Sequence, residues 1–337
     1  MSISLEYLQL CSAQTGYGIG PLEKVVRLGE IAADIARHPF LGKVLALKGG
    51  TALNICHGPP RRLSVDLDFN YIGHLEREKM LADRPQVEDA IIRIAEQKAY
   101  RVQQSADAFA GRKFFLIYRS ATGQNDRIEV DLNFLFRMPI AGTAMQKMWQ
   151  PGELDRPKVR VISLQEILLG KLLAFLDRSA ARDVWDLANL PVQAEEITAS
   201  NRFRAWFIAL SAILDHPLTK YTRNRIEAHA TDRAIAEQLA PMLMGEASLH
   251  SGALVEQSWA SISHLMTLTE RETEYIDSIQ RGALCSELLF PDNPEEAQRV
   301  TEHPAILWKL VNVRAHLARR KTKPGQRLWG LGSHLDL

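Results

Sequence analysis

The chain has 337 residues, 46% of them hydrophobic and 24% charged, a balance that excludes a disordered or fibrous protein. At about 150 residues per domain the length predicts two domains with enough chain to bury a sizeable core. The 41 Lys and Arg against 40 Asp and Glu leave a formal charge of +1. That excludes a strongly basic, histone-like binder but not a nucleic-acid enzyme with a local patch. Cys11, Cys56 and Cys285 are too few and scattered for a disulfide framework or a CxxC metal site, so reduced thiols are expected. No stretch approaches the length of a membrane span, and the opening MSISLEYLQLCSAQTG has no basic n-region. No membrane partner and a cytoplasmic location are the expectation.

In chain order, Leu22–Arg37 has the 3.6 period of a helix, and Lys43–Leu47 is a strand-like run that stops at Gly49-Gly50. Val65–Phe69 alternates with period 2. Val87–Ala99 is again helical, with Pro85 expected in its first turn. Tyr100–Ser105, Lys113–Arg119 and Arg127–Phe134 complete the predicted strands. Strands mixed with helices imply an α/β or α+β domain over residues 1–160. From 161 to 337 nearly everything is helical. Ser163-Leu-Gln-Glu166 is a capping-box signature opening a helix towards Asp177. Arg182–Leu190, Arg202–Ile213, Arg223–Met244, Ser258–Gln280 and Glu295–Arg319 follow as helical segments. Arg314, Arg319, Arg320, Lys321, Lys323 and Arg327 form an acid-free basic tail, either an RNA-contacting patch or a solvated end.

Chemistry concentrates in three places. Lys48-Gly-Gly-Thr-Ala-Leu53 turns a strand into a helix, and Gly49, Gly50 and Thr51 would offer free N–H groups to an anion. In Arg61-Arg-Leu-Ser-Val-Asp-Leu-Asp-Phe69, alternation puts Asp66 and Asp68 on one strand face. Two such carboxylates are tolerated when solvated, paired with bases, or bridged by a hard divalent cation, Mg²⁺ or Mn²⁺. Ile128-Glu-Val-Asp-Leu132 supplies a third acid from another strand, Asp131 by preference and Glu129 in reserve.

That order, a strand, Gly-Gly-Thr, a helix, Asp-x-Asp and a later acid, resembles the nucleotidyltransferase superfamily. With Lys171-Leu-Leu-Ala-Phe-Leu-Asp-Arg178 and Ala181-Arg-Asp-Val-Trp-Asp-Leu187 it resembles, over about residues 40–190, the AbiEii toxin family, to which the MenT-type toxins are related. The resemblance implies a nucleotidyltransferase-fold domain followed by an all-helical C-terminal domain. It also implies an Mg²⁺-dependent toxin of a toxin–antitoxin or phage-defence system that uses an NTP. The acceptor implied is the 3′ end of tRNA, and the implied partner is a cognate antitoxin. A transferase acting on a small-molecule or protein hydroxyl, and a degenerate nucleotide- or RNA-binding protein, are the alternatives.

The residues support site roles on their own chemistry. Asp66, Asp68 and Asp131 are the candidate metal ligands, with Asp66 and Asp68 catalytic. Lys171 would be a point charge on phosphates, and Arg178 or Arg182 a forked clamp. Asp183 and Asp186 would orient those cations or accept a proton. The plain alternative for this group is a salt-bridged helix face. Ser64 and Arg62 are expected on the face of Asp66, Ser64 to bond a phosphate oxygen or fix Asp66 and Arg62 to contact nucleotide or pair with an acid, and phosphate on Ser64 would repel an incoming nucleotide. His57 is expected in a loop, and the six tryptophans in core or interfaces.

Overall fold

The computed structural model describes residues 3–245 and 249–322. Among the described residues seven strands form one mixed sheet: β1 (Leu45–Lys48), β2 (Asp66–Tyr71), β3 (Arg101–Gln104), β4 (Gly111–Arg119), β5 (Asn125–Asn133), β6 (Thr143–Lys147) and β7 (Lys158–Ile162). Their spatial order is β3-β4-β5-β2-β1-β7-β6. β2 lies antiparallel to β1 and parallel to β5, so the two acid-bearing strands are neighbours at the centre. Strict alternation gives the sheet two unlike faces. Leu47, Leu67, Phe69, Val130, Leu132, Phe114, Leu116 and Val161 are buried on one. Helices α2 (Ile19–Arg37) and α5 (Arg77–Gln97) join that core through Leu22, Val25, Leu28, Ile31, Met80, Val87 and Ile91.

Helix α1 (Leu5–Thr15) is capped by Ser4, whose hydroxyl accepts from the Tyr7 N–H, and stops at left-handed Gly16. The short α3 (Leu41–Val44) leads into β1, and α4 (Gly49–Cys56) leaves it. Pro85 lies inside α5 and not at its start. Its missing N–H removes one helical bond, but buried Met80 and Arg84 before it and Val87 and Glu88 after it carry the helix through. The two edge-side strands β6 and β7 and helix α1 are additional to the predicted elements.

The chain divides into two compact units, one within residues 1–167 and 231–253, the other within 168–230 and 254–337. The division therefore differs from a single cut at residue 160, because 231–253 returns to the first unit. There the Leu63 N–H donates to the Met242 carbonyl, and the Gly245 N–H to that of Gly16. The predicted helix over 223–244 is broken into α10 (Arg223–His229), α11 (Asp232–Ala234), a π turn at Ile235–Leu239 and a 3₁₀ turn at Ala240–Met242. Thr231 caps a fresh start and Pro241 cannot continue the helix.

Helix α6 (Leu164–Arg178) is followed by α7 (Ala181–Ala188), α8 (Gln193–Thr198) and α9 (Asn201–Ser211). The remaining helices are α12 (Ser251–Met266), α13 (Glu270–Gln280), α14 (Pro294–Glu302) and α15 (Pro304–Thr322). The two longest predicted helices are each split in two, at the Thr269–Glu272 capping box and at Pro304. The helical unit packs around Trp206, whose Nε1 donates to Glu296 Oε2 at 2.7 Å. All three cysteines are unpaired. Among the described residues no helix is long and apolar enough to cross a membrane. Of the basic tail, Lys323 and Arg327 lie outside the described residues, as does Trp329.

Only half of the predicted capping box at α6 forms. The Glu166 N–H donates to Ser163 Oγ at 3.2 Å, but the Glu166 carboxylate accepts from the Ile140 N–H at 2.8 Å. The Ser163 N–H goes instead to the Gly142 carbonyl. Replacing the cap, Ser163→Ala, is expected to lower stability by about 1 kcal/mol, read as a lower urea midpoint at unchanged slope.

Candidate active site

The β2–β5 register puts Asp68 opposite Asp131 and Asp66 opposite Glu129. All four are half-buried and share the face opposite the core. Lys113 of β4 pairs with Asp131, and Lys48 of β1 with Asp68. Across four strands the row therefore reads Lys113, Asp131, Asp68, Lys48. Like charges directly opposite each other are unfavourable in a sheet, and the ion pair of Lys113 with Asp131 offsets the repulsion. Lys113 Nζ lies 3.8 Å from Asp131 Oδ2, and Arg127 Nη2 lies 3.1 Å from Glu129 Oε1.

The glycine turn belongs to the same site. Gly49 has φ of 72°, in the region glycine tolerates best, and a Cβ there would lie 3.1 Å from Asp68 Cγ. Only glycine lets α4 begin hard against that carboxylate. The helix starts at Gly49 and not at Thr51. Thr51 is fully buried, and its hydroxyl donates to the Asp66 backbone carbonyl. It is thus a strut between α4 and β2. The first-turn N–H groups remain those of Gly49, Gly50 and their successors.

β2 begins at Asp66, so Ser64 and Arg62 precede the strand. Ser64 is only 4% exposed, which is no place for a modifying enzyme to reach. Arg62 is 1% exposed, and its Nη1 donates to the Leu63 carbonyl at 2.9 Å. His57 directly follows α4, and burial lowers its imidazole's proton affinity.

The helical unit holds the second cluster. Lys171 Nζ, on α6, lies 3.1 Å from Asp183 Oδ1 and 2.7 Å from Asp186 Oδ2, both on α7. Arg178 Nε is 2.8 Å from Asp183 Oδ2. Lys171, Asp183 and Asp186 are buried, whereas 47% of the Arg178 side chain is exposed and Arg182 is half-buried. Lys171 is therefore enclosed by two carboxylates and is not an open hook for phosphate. Burial alone would raise the Asp183 carboxyl, but the charges of Lys171 and Arg178 outweigh it and hold it far below the usual carboxylate range.

The donor chemistry of the sheet row suits a hard divalent cation: three carboxylates on one face of adjacent strands. Among the described residues, however, no three His, Cys, Asp or Glu side chains stand close enough to hold an ion as placed. The register sets Asp68 beside Asp131, and Asp131 lies 3.8 Å from Lys113.

A family model described as the nucleotidyl transferase AbiEii toxin of type IV toxin–antitoxin systems matches residues 32–259. The chain belongs to the AbiEii nucleotidyltransferase toxin family. The match runs past the motifs quoted above and takes in the returning segment 231–253. Among solved structures, the nucleotidyltransferase toxin MenT4 of Mycobacterium tuberculosis H37Rv is similar over 93% of this chain and 99% of its own. Identity is 14% and the TM-score 0.58. JHP933 of Helicobacter pylori is similar over 78% of this chain and 99% of its own, at 14% identity and a TM-score of 0.48. At 14% identity the likeness to MenT4 is one of fold. No curated protein matches. As an AbiEii-family member the chain is a nucleotidyltransferase, so it uses an NTP, and its toxin–antitoxin class implies an antitoxin partner.

Sequence reasoning missed Lys113 and Lys48 as flanking charges. Lys48 ends β1 and Lys113 lies two residues into β4, and only the register, a long-range property, brings them into the row. The depressed Asp183 carboxyl sets a pH dependence. A folded-state value below the unfolded one gives stability that is present above the ordinary aspartate range and lost as pH falls through the folded value. Asp183→Asn should therefore be destabilised relative to wild type at pH 7, with the gap narrowing below about pH 4. Urea denaturation of both proteins across that range checks it.

Proposed function

We propose that this AbiEii-family toxin transfers a nucleoside monophosphate from an NTP to the 3′ hydroxyl of tRNA. The observation that carries the reading is the register of Asp68 with Asp131, with Asp66 on the same face and Gly49 against Asp68. In this reading Asp66, Asp68 and Asp131 would hold Mg²⁺ or Mn²⁺. Such ions, when bound, would lower the pKa of the acceptor hydroxyl and neutralise the leaving pyrophosphate.

The chain's own groups divide the remaining work. The backbone amides of Gly49 and Gly50, at the positive end of α4, receive phosphate oxygens. Thr51 holds that helix to the strand bearing Asp66 and Asp68, so amides and carboxylates keep a fixed spacing. Lys113 balances Asp131. In the helical unit, taken by itself, Arg178 and Arg182 are the cations with the chemistry to bind phosphate oxygens. Arg178 has the exposure for it. Lys171 takes a positioning role, holding Asp183 and Asp186, with Asp183 in turn fixing Arg178. A carboxylate with so low a proton affinity is a poor base, which favours Asp183 as an orienting group over a proton acceptor.

The test is incubation with each radiolabelled NTP, Mg²⁺ and total RNA, comparing wild type with Asp66→Ala. Label should enter RNA of tRNA size and fall by about 100-fold or more in the variant, the scale of losing electrostatic stabilisation at a reacting phosphoryl group. Label on protein, or equal labelling by the variant, would contradict the proposal.

A further inference from the structure

The face that bears the carboxylates continues beyond them. On β4, Phe114, Leu116 and Tyr118 are buried in the core, so Lys113, Phe115, Ile117 and Arg119 stand on the carboxylate face. The registers set Gln103 of β3 opposite Phe115, and Arg101 of β3 and Arg127 of β5 opposite Ile117. Arg101, Gln103, Arg119 and Arg127 are exposed, and Phe115 and Ile117 are half-buried. The Arg127 guanidinium lies 4.7 Å from the Phe115 ring centroid and is tethered to Glu129, the cross-strand partner of Asp66. An aromatic ring with a tethered guanidinium over it, on an open sheet face, is a surface on which unpaired bases stack.

Charge along this face is graded. Arg101, Arg119 and Arg127 lie beyond the row of Phe115, Glu129 and Asp66, and the row of Asp131 and Asp68 lies on its other side. Phe115 is one same-face position from Lys113, hence about 7 Å along the strand from the row containing Asp131. The glycine turn of α4 lies on the opposite side of Asp68, next to β1. A triphosphate held at that turn leaves the Phe115 side for the other reactant. Cations beyond the ring match an anion that extends past one nucleotide.

We propose that this face docks the single-stranded 3′ end of the acceptor RNA. Phe115 and Arg127 stack a base, Arg101 and Arg119 meet backbone phosphates, and the terminal hydroxyl is directed at the carboxylate row. The inference rests on the RNA-transfer reading above and adds the surface that recognises the acceptor.

The test measures binding without turnover. The full-length protein, with no NTP, is titrated against a 5′-fluorescein single-stranded oligoribonucleotide of about eight nucleotides, within the site sizes of stacking grooves, and followed by anisotropy. Phe115→Ala should weaken binding by about 5- to 150-fold, the value of one stacked base. Phe115→Tyr, which keeps an aromatic face, should retain the affinity and shows that any loss is not misfolding. Arg101→Gln and Arg119→Gln should each reduce the slope of log K against log salt by about 0.7. NTP affinity by equilibrium dialysis should be unchanged in Phe115→Ala. Equal RNA affinity in Phe115→Ala and wild type overturns the proposal, as does absence of RNA binding by wild type. Weakened NTP binding with RNA binding intact would assign the ring to the incoming nucleotide. Intact RNA binding with lost neutralisation by a co-expressed antitoxin would assign the face to that protein. RNA binding through Phe115 without any label transfer would refute the reaction and leave this surface standing.

Discussion

Asp68 and Asp131 stand opposite each other in neighbouring parallel strands, two like charges held at one register. Nothing in strand pairing favours that arrangement, and the surrounding structure is organised to tolerate it. Lys48 and Lys113 close the row at either end. The opposite side of both strands is committed to the core through Leu67, Phe69, Val130 and Leu132. A slip of one residue would bury the acids and expose that apolar set, so the core fixes the register of the site. Gly49 then lets a helix begin against Asp68, and Thr51 ties that helix to the Asp66 backbone. Fold stability and site geometry are in this respect a single constraint.

Much of this was legible in the chain because period-2 alternation writes itself directly into residue order. Asp66, Leu67, Asp68 and Phe69, and likewise Glu129, Val130, Asp131 and Leu132, announce which side each residue takes. The glycine pair announces the turn. What stayed hidden depends on contacts distant in sequence. Ser64 and Arg62 looked like an extension of β2, but the strand starts at Asp66, and the preceding residues are buried, with Leu63 bonded to Met242. Pro85 looked like a helix start, yet burial on both sides of it overrides the local preference. The 231–253 segment has an ordinary helical composition and gives no sign that it returns to the first unit.

The helical unit shows the same limit in another form. Lys171, Arg178, Arg182, Asp183 and Asp186 have the spacing of a solvated, salt-bridged surface or of a phosphate clamp. In the structure Lys171 and the two aspartates are interior. Burying one cation between two carboxylates is unfavourable unless each charge is well partnered, and here Lys171 bridges both aspartates while Arg178 shares Asp183. Such a network specifies how α6 meets α7 more than it adds stability. The formal charge of +1 conceals this partition. Acids cluster at the sheet row, cations gather on the same face beyond Phe115, and a neutralised core of charge sits in the helical unit.

In the proposed reaction Asp66, Asp68 and Asp131 act together on one cation. Titration of the full-length protein with Mn²⁺, followed by electron paramagnetic resonance with a non-hydrolysable NTP analogue present, tests it most directly. Asp68→Asn and Asp131→Asn should each weaken Mn²⁺ binding by about 10-fold or more, with the fold intact by circular dichroism. Unchanged Mn²⁺ affinity in Asp131→Asn would contradict it, because the register that unites the two strands would then serve no common ion.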